Sequence, residues 1–235
     1  MGKSKSRNPW LRGIGYTLAL IVAIEGVVLL CGLLENSWLR NHNPSSTAFT
    51  RRESMLSRRP ADFSWRNLGD ISDSLKRAVL VSEDDAFFVH EGVDFSELKK
   101  SWDINLKKER IARGGSTISM QLVKNLYFSQ ARNPLRKLNE ILLTLDLEHK
   151  LPKERILEIY LNVVEWGDGI YGAENASQYY FRKGADRLSS SEAAYLAAIL
   201  PNPVYLSRHN TRRAKGRQAI ILRRMGKRSL PEEVR

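Results

Sequence analysis

The sequence predicts a mainly α-helical domain behind one N-terminal transmembrane helix. Three observations predict it. Residues 14–34 form a long, mostly apolar run. Farther on, capping residues and prolines precede segments whose apolar side chains recur every three or four positions. Alternating strand patterns are scarce, which leaves room for one short hairpin at most.

The run from Ile14 to Leu34 is the first element. As a helix it covers roughly 30 Å, the hydrocarbon thickness of a bilayer. A cleaved signal peptide is the main competing reading, but its apolar stretch is shorter and ends at a small-x-small site. Here the run closes with Leu33, Leu34 and Glu35, so an uncleaved anchor is expected. Lys3, Lys5, Arg7 and Arg12 precede the span in a basic tail over 1–13. Positive charge stays inside, which puts this tail in the cytoplasm and the following domain on the outer, periplasmic face of the inner membrane. Trp10 and Trp38 flank the run as interfacial aromatics do. Glu25 falls near its middle, where a carboxylate costs about 3 kcal/mol. It reads either as a helix–helix or partner contact, or as a protonated residue that the span tolerates. Residues 35–60 read as a polar juxtamembrane linker containing Asn43-Pro44-Ser45-Ser46-Thr47 and Arg58-Arg59-Pro60.

The domain proper is expected over 61–228, with 229–235 as a C-terminal tail. Ser72 suits the N-cap of a helix carrying Leu75, Ala78 and Val79 and ending near Glu83. Pro134 suits the first turn of another, with Leu138, Ile141, Leu142 and Leu145 at helical spacing. Pro152 opens a third, with Ile156, Leu157, Tyr160 and Leu161. Ser189 and Glu192 fit a capping box ahead of an alanine-rich segment that Pro201 stops.

Lys and Arg outnumber Asp and Glu 38 to 26 in 235 residues, for a formal charge of +12. The excess sits at the two ends; residues 208–235 hold ten basic side chains against Glu232 and Glu233. A basic end suits anionic lipid or nucleic acid. No zinc-finger, RNA-recognition or basic-zipper signature accompanies it, so no nucleic-acid partner is expected. Cys31 is the one cysteine, which rules out an intramolecular disulfide.

Two segments carry candidate chemistry. Residues 83–92 put Glu83 and Asp84 beside Phe87, Phe88, His90 and Gly92. Adjacent acids at a helix end are more often simply solvated, but nearby aromatics can desolvate a carboxylate and make it a better base. His90-Glu91 is not a zinc-protease motif, because no second histidine follows at the required spacing. Residues 114–125 lead with Gly114, Gly115, Ser116 and Thr117 and continue to Gln121, Lys124 and Asn125. A glycine pair before Ser-Thr can offer backbone N–H groups to an anion, or can be a plain capped turn. Arg132, Arg136, Lys137 and Glu140 follow, either as surface ion pairs or as cations for a phosphate beside a carboxylate.

In this order and spacing the segments resemble the peptidoglycan glycosyltransferases of glycosyltransferase family 51, over roughly residues 70–225. The family's Glu-Asp-x-x-Phe-x-x-His-x-Gly motif is Glu83, Asp84, Phe87, His90 and Gly92. Its Gly-x-Ser-Thr-Ile-x-x-Gln-x-x-Lys-Asn motif is Gly114, Ser116, Thr117, Ile118, Gln121, Lys124 and Asn125. Its Arg-Lys-x-x-Glu motif is Arg136, Lys137 and Glu140, and its Ile-Leu-x-x-Tyr-Leu-Asn motif is Ile156 to Asn162. A last arginine-rich motif is similar to Arg213 through Met225. Met120 departs from the pattern, since the family usually has a second glutamine there. With no transpeptidase segment after the last motif, the monofunctional subgroup is the expectation.

The resemblance implies a lysozyme-like, two-lobed helical domain that polymerises lipid II into β-1,4 glycan strands with inversion. The donor is the growing chain on undecaprenyl pyrophosphate. Glu83 matches the family's catalytic base. Glu140 matches the second glutamate, associated with the donor pyrophosphate. Lys124, Arg132 and Arg136 would hold that pyrophosphate. Asp84, Phe87, His90, Gly92, Gly115, Ser116, Thr117, Gln121, Asn125 and Lys137 are the remaining candidate substrate contacts. No metal ligand is assigned and no cofactor is required, although a divalent cation such as Mg2+ or Mn2+ beside Glu140 stays open. Expected partners are the lipid substrates, the membrane, and cell-wall synthesis or division proteins. A glycan-cleaving lysozyme-like enzyme and a catalytically idle scaffold of the cell-wall machinery are the competing readings.

Overall fold

The computed structural model describes residues 9–57, 62–99, 115–128 and 134–234. Its helices are α1 (Pro9–Leu39), α2 (Ala48–Ser57), α3 (Asp73–Glu83), α4 (Ile118–Tyr127), α5 (Pro134–Lys150) and α6 (Lys153–Val163), then α7 (Ala173–Phe181), α8 (Ser190–Ile199), α9 (Pro203–Arg208) and α10 (Thr211–Met225). Between α6 and α7 a short antiparallel hairpin pairs β1 (Glu165–Gly167) with β2 (Ile170–Tyr171). The architecture is mainly α, behind an N-terminal apolar helix.

Local chemistry explains the element ends. Ser72 caps α3, its Oγ accepting from the Leu75 N–H at 3.2 Å. At α8 the capping box forms as the sequence suggests, with Ser189 and Glu192 satisfying each other's backbone N–H groups. Thr117 caps α4 by accepting from the Met120 N–H at 3.1 Å. Gly172, at φ +81, opens α7 where a Cβ would lie 2.7 Å from the carbonyl oxygens of Asn162 and Phe63.

Two groups of helices surround the cleft. Helices α3, α8 and α10 pack together, and the alanines of α8 permit the close approach. Helices α4, α5 and α6 form the second group, with α1 laid along α5 and α2 on α4. Ile156, Leu157, Tyr160, Leu161 and Asn162 of α6 are all fully buried, so that motif is scaffold.

Three expectations need correction. The apolar helix runs on to Leu39, which is fully buried in the core, rather than ending at residue 34. Part of the expected linker is folded: Thr47 and Thr50 bond each other at the start of α2, and both are buried. Arg58, Arg59 and Pro60 lie outside the described residues. The expected C-terminal tail is also packed, because Leu230 and Val234 are buried and the Lys76 ammonium donates to the Val234 carbonyl at 2.6 Å. The apolar stripe of α5 does not face the core. Leu138, Leu142 and Leu145 are exposed, while Leu143 and Leu147 are buried.

Helix α1 explains that stripe. Its span from Arg12 to Leu39 is long and apolar enough to cross a membrane, and only 6% of its most apolar stretch is buried. A core helix of a soluble domain would be mostly buried. On α5, Asn139, Leu143, Asp146 and Lys150 meet α1. The exposed leucines precede three of these by one position, about 100° round the helix. They therefore flank α1 on the exposed side of α5.

Candidate active site

Glu83 ends α3, and the two segments singled out by the sequence meet at its carboxylate. Gln121 Nε2 donates to Glu83 Oε2 at 3.1 Å, and Ser82 Oγ donates to Oε1 at 3.2 Å. The fully buried Tyr160 donates its hydroxyl to Gln121 Oε1 at 3.1 Å. That bond fixes the Gln121 amide with its NH2 toward Glu83. Burial pushes the Glu83 carboxyl above the usual carboxylate range, and Gln121, Arg217, Ser82 and Lys124 offset this only in part.

Two cavities adjoin at Gln121 and Lys124. One, of about 900 Å³, is lined by Glu83, Gly115, Ser116 and Thr117 and by the arginines Arg217, Arg224 and Arg228. The other, of about 550 Å³, is lined by Asn125, Arg136 and Glu165. Lys124 faces the cleft. Its removal from bulk water pushes its pKa below the ordinary lysine value; Glu140 opposes that, while Arg136 and Lys137 add to it.

Four of the expected substrate contacts have structural partners, and one of them, Asp84, also lines the larger cavity. Asp84 is buried, and its Oδ2 accepts from the Ile118 N–H at 2.9 Å, holding the start of α4. His90 Nδ1 accepts from the Gly92 N–H at 3.0 Å, so its Nε2 carries the proton and donates to Asp84, also at 3.0 Å. Phe87 is buried edge-on to Phe88 and His90, with the Lys153 ammonium 4.5 Å from its ring centre. Gly92 has φ +87, and a Cβ there would meet Glu148 and Thr144 at under 3 Å. Thr117 braces the same turn. Besides capping α4, its Oγ1 donates to the Gly92 carbonyl at 2.5 Å.

Lys137 bonds the buried Glu140 at 2.7 Å and lines neither cavity. Glu140 and Glu83 both favour the charged form of Lys124, and Glu165 lines the smaller cavity with Lys124 and Arg136. Among the described residues no three or more His, Cys, Asp or Glu side chains group to hold a metal ion. Met120 is wholly buried and lines neither cavity. Gly114 and Arg132 lie outside the described residues.

Sequence reasoning missed the wall built by α10. Arg217 Nε donates to the Ala198 carbonyl at 3.0 Å, and Asp85 pairs with Arg224 at 3.4 Å and Arg228 at 2.8 Å. A signal was present: positions 217 and 224 are seven apart, which is one helical face, and Arg228 follows just beyond the end of α10. It also missed the Tyr160 hydroxyl, for which spacing gives no cue.

The transglycosylase family profile matches residues 49–226. The chain belongs to the transglycosylase family. Its curated relatives include a protein from Chromobacterium violaceum, 45% identical over 227 residues, covering 90% of this chain and 99% of that one. Another, from Laribacter hongkongensis, is 44% identical over 223 residues, covering 88% and 98%. A third, from a Janthinobacterium species, is 46% identical over 221 residues, covering 90% and 96%. All three are named biosynthetic peptidoglycan transglycosylase. The family match spans all five motifs of the cleft, so α10 belongs to the same unit as Glu83.

Proposed function

We propose that this transglycosylase is a peptidoglycan glycosyltransferase that polymerises lipid II on the outer face of the cytoplasmic membrane. One observation carries the reading: a desolvated carboxylate, Glu83, lines the larger of two cation-lined cavities and is hydrogen-bonded to Gln121, which lines both. Two substrates can then meet at one base.

The larger cavity takes the acceptor. Its sugar 4-hydroxyl approaches Glu83, which removes the proton as oxygen attacks the donor's anomeric carbon. The smaller cavity takes the donor. As the C–O bond to pyrophosphate breaks, negative charge grows on the leaving group beside Lys124 and Arg136, which stabilise it electrostatically. Attack opposite to departure inverts the anomeric centre and turns an α-linked donor into a β-1,4 product. Glu140 neutralises and orients the cations. Glu83 then returns its proton to water. The polyprenyl tails of both substrates stay in the bilayer, and α1 keeps the cleft beside it.

A lytic enzyme would need a protonated acid for a neutral sugar leaving group rather than a phosphate clamp. The test feeds lipid II to the full-length purified protein and sizes the product. Polymer is the expected result. Shortened glycan from a peptidoglycan substrate, with lipid II untouched, would overturn the reading.

A further inference from the structure

Helix α1 is more than a tether in this structure. One of its faces, formed by Glu25, Gly32 and Asn36 at positions seven and eleven apart, is laid against α5. Gly32 brings the backbones close, since a Cβ there would stand 2.7 Å from Leu143 Cδ2. Asn36, fully buried, donates to the Leu143 carbonyl at 3.2 Å and to Asp146 Oδ2 at 2.8 Å, and accepts from the Tyr127 hydroxyl at 2.6 Å. The Lys150 ammonium donates to the Leu33 carbonyl at 2.8 Å.

The deepest contact in the span is the least ordinary. Asn139 Nδ2 donates to Glu25 Oε2 at 2.9 Å and to the Glu25 carbonyl at 3.1 Å. Glu25 lies near the middle of the apolar run, where a carboxylate is costly and leucine would serve a plain anchor better. Asn139 is itself buried, and the next residue along α5 is Glu140. Arg136, one turn earlier, lines the smaller cavity. The same short stretch of helix thus faces the anchor on one side and the cleft on the other.

We propose that Glu25 is a positioning residue. Its hydrogen bonds with Asn139 pin the first half of α5 to the membrane anchor and so hold Arg136 and Glu140 at the donor cavity. The assignment rests on the glycosyltransferase reading for its effect on rate, but not for the contact itself. Lys150 and Asn36 pin the far end of α5 independently, so loss of Glu25 frees the catalytic end alone.

The experiment uses the full chain in phospholipid vesicles, with Glu25→Leu, Asn139→Leu, their double variant and Glu25→Gln. Leucine suits the span, so failed insertion does not confuse the result. Intramembrane hydrogen bonds reach a range that corresponds to roughly 3- to 20-fold. Glu25→Leu should lower kcat on lipid II by that much with KM little changed. Adding Asn139→Leu should cost little more, and Glu25→Gln, which keeps an acceptor, should restore most of the rate. Hydrogen exchange in residues 134–141 should quicken in Glu25→Leu while 142–150 stays protected. Wild-type kcat in Glu25→Leu, or losses that multiply in the double variant, would overturn the proposal. If the wild type made no polymer, the glycosyltransferase reading would fail; unchanged exchange in Glu25→Leu would separately sink the pinning of α5.

Discussion

Residues 83–92 and 115–125 both stand at the cleft, yet they use their side chains in opposite ways. The first segment turns inward. Asp84 and Phe87 are buried, His90 is bonded to Asp84, and Gly92 takes a left-handed conformation, while Glu83, Asp85 and the exposed Val89 line the larger cavity. The second segment turns outward, with Ser116, Gln121, Lys124 and Asn125 lining the cavities. Backbone geometry explains the difference. A chain leaving a helix and doubling back must satisfy its own polar groups, and Asp84 and His90 do so. A helix satisfies its own ladder, so α4 can give one face to the core through Ile118, Leu122 and Leu126 and another to the cleft. A motif shared by a family therefore mixes residues that react with residues that hold them.

That division predicts contrasting variants. The largest effect on rate belongs to Glu83→Gln, which should lower polymerisation by about 10²–10⁴-fold, the usual contribution of a positioned base. Its melting temperature and lipid II binding should stay near wild type, as fluorescence melting and vesicle co-sedimentation would read. Asp84→Ala should do the reverse. It strips the Ile118 N–H and His90 of their acceptor and should cost about 3 kcal/mol of stability in denaturant titration. Below the unfolding transition its turnover should fall far less than that of Glu83→Gln. If Asp84→Ala melted like wild type but bound lipid II poorly, Asp84 would belong with the reacting residues. The smallest effect is expected of Met120→Gln, which restores the family's more usual side chain. Because position 120 is wholly buried and lines neither cavity, the change should destabilise by about 1–2 kcal/mol through an unmet amide, with kcat unchanged.

Much of this was legible in the sequence where the cause is local. The Ser72 cap, the Ser189–Glu192 box and the start of α6 after Pro152 each depend on residues a few positions apart. The candidate base and lysine were legible through motif spacing. What was not legible depends on distant partners. Arg217 reaches the cleft from α10, far along the chain from Glu83. Periodicity marked an apolar face on α5 but could not say whether protein or lipid would cover it. The polar look of residues 35–57 hid the burial of Leu39, Thr47 and Thr50, because composition does not reveal which hydroxyls bond each other.

The central claim is that Glu83 is a base whose pKa is set by burial in the cleft and moderated by Gln121. Its most direct test is the pH dependence of kcat/KM for lipid II polymerisation in vesicles, wild type beside Gln121→Ala. A base must be ionised, so rate should fall as pH drops through the raised Glu83 pKa, above the ordinary value of 4.5. Lys124 must be charged, so the alkaline limb should lie below the ordinary 10.5. Removing Gln121 deletes a hydrogen bond that favours the carboxylate, so the acid limb should move to still higher pH while the alkaline limb stays. An acid limb at the ordinary glutamate value, or one that Gln121→Ala leaves in place, would contradict the account.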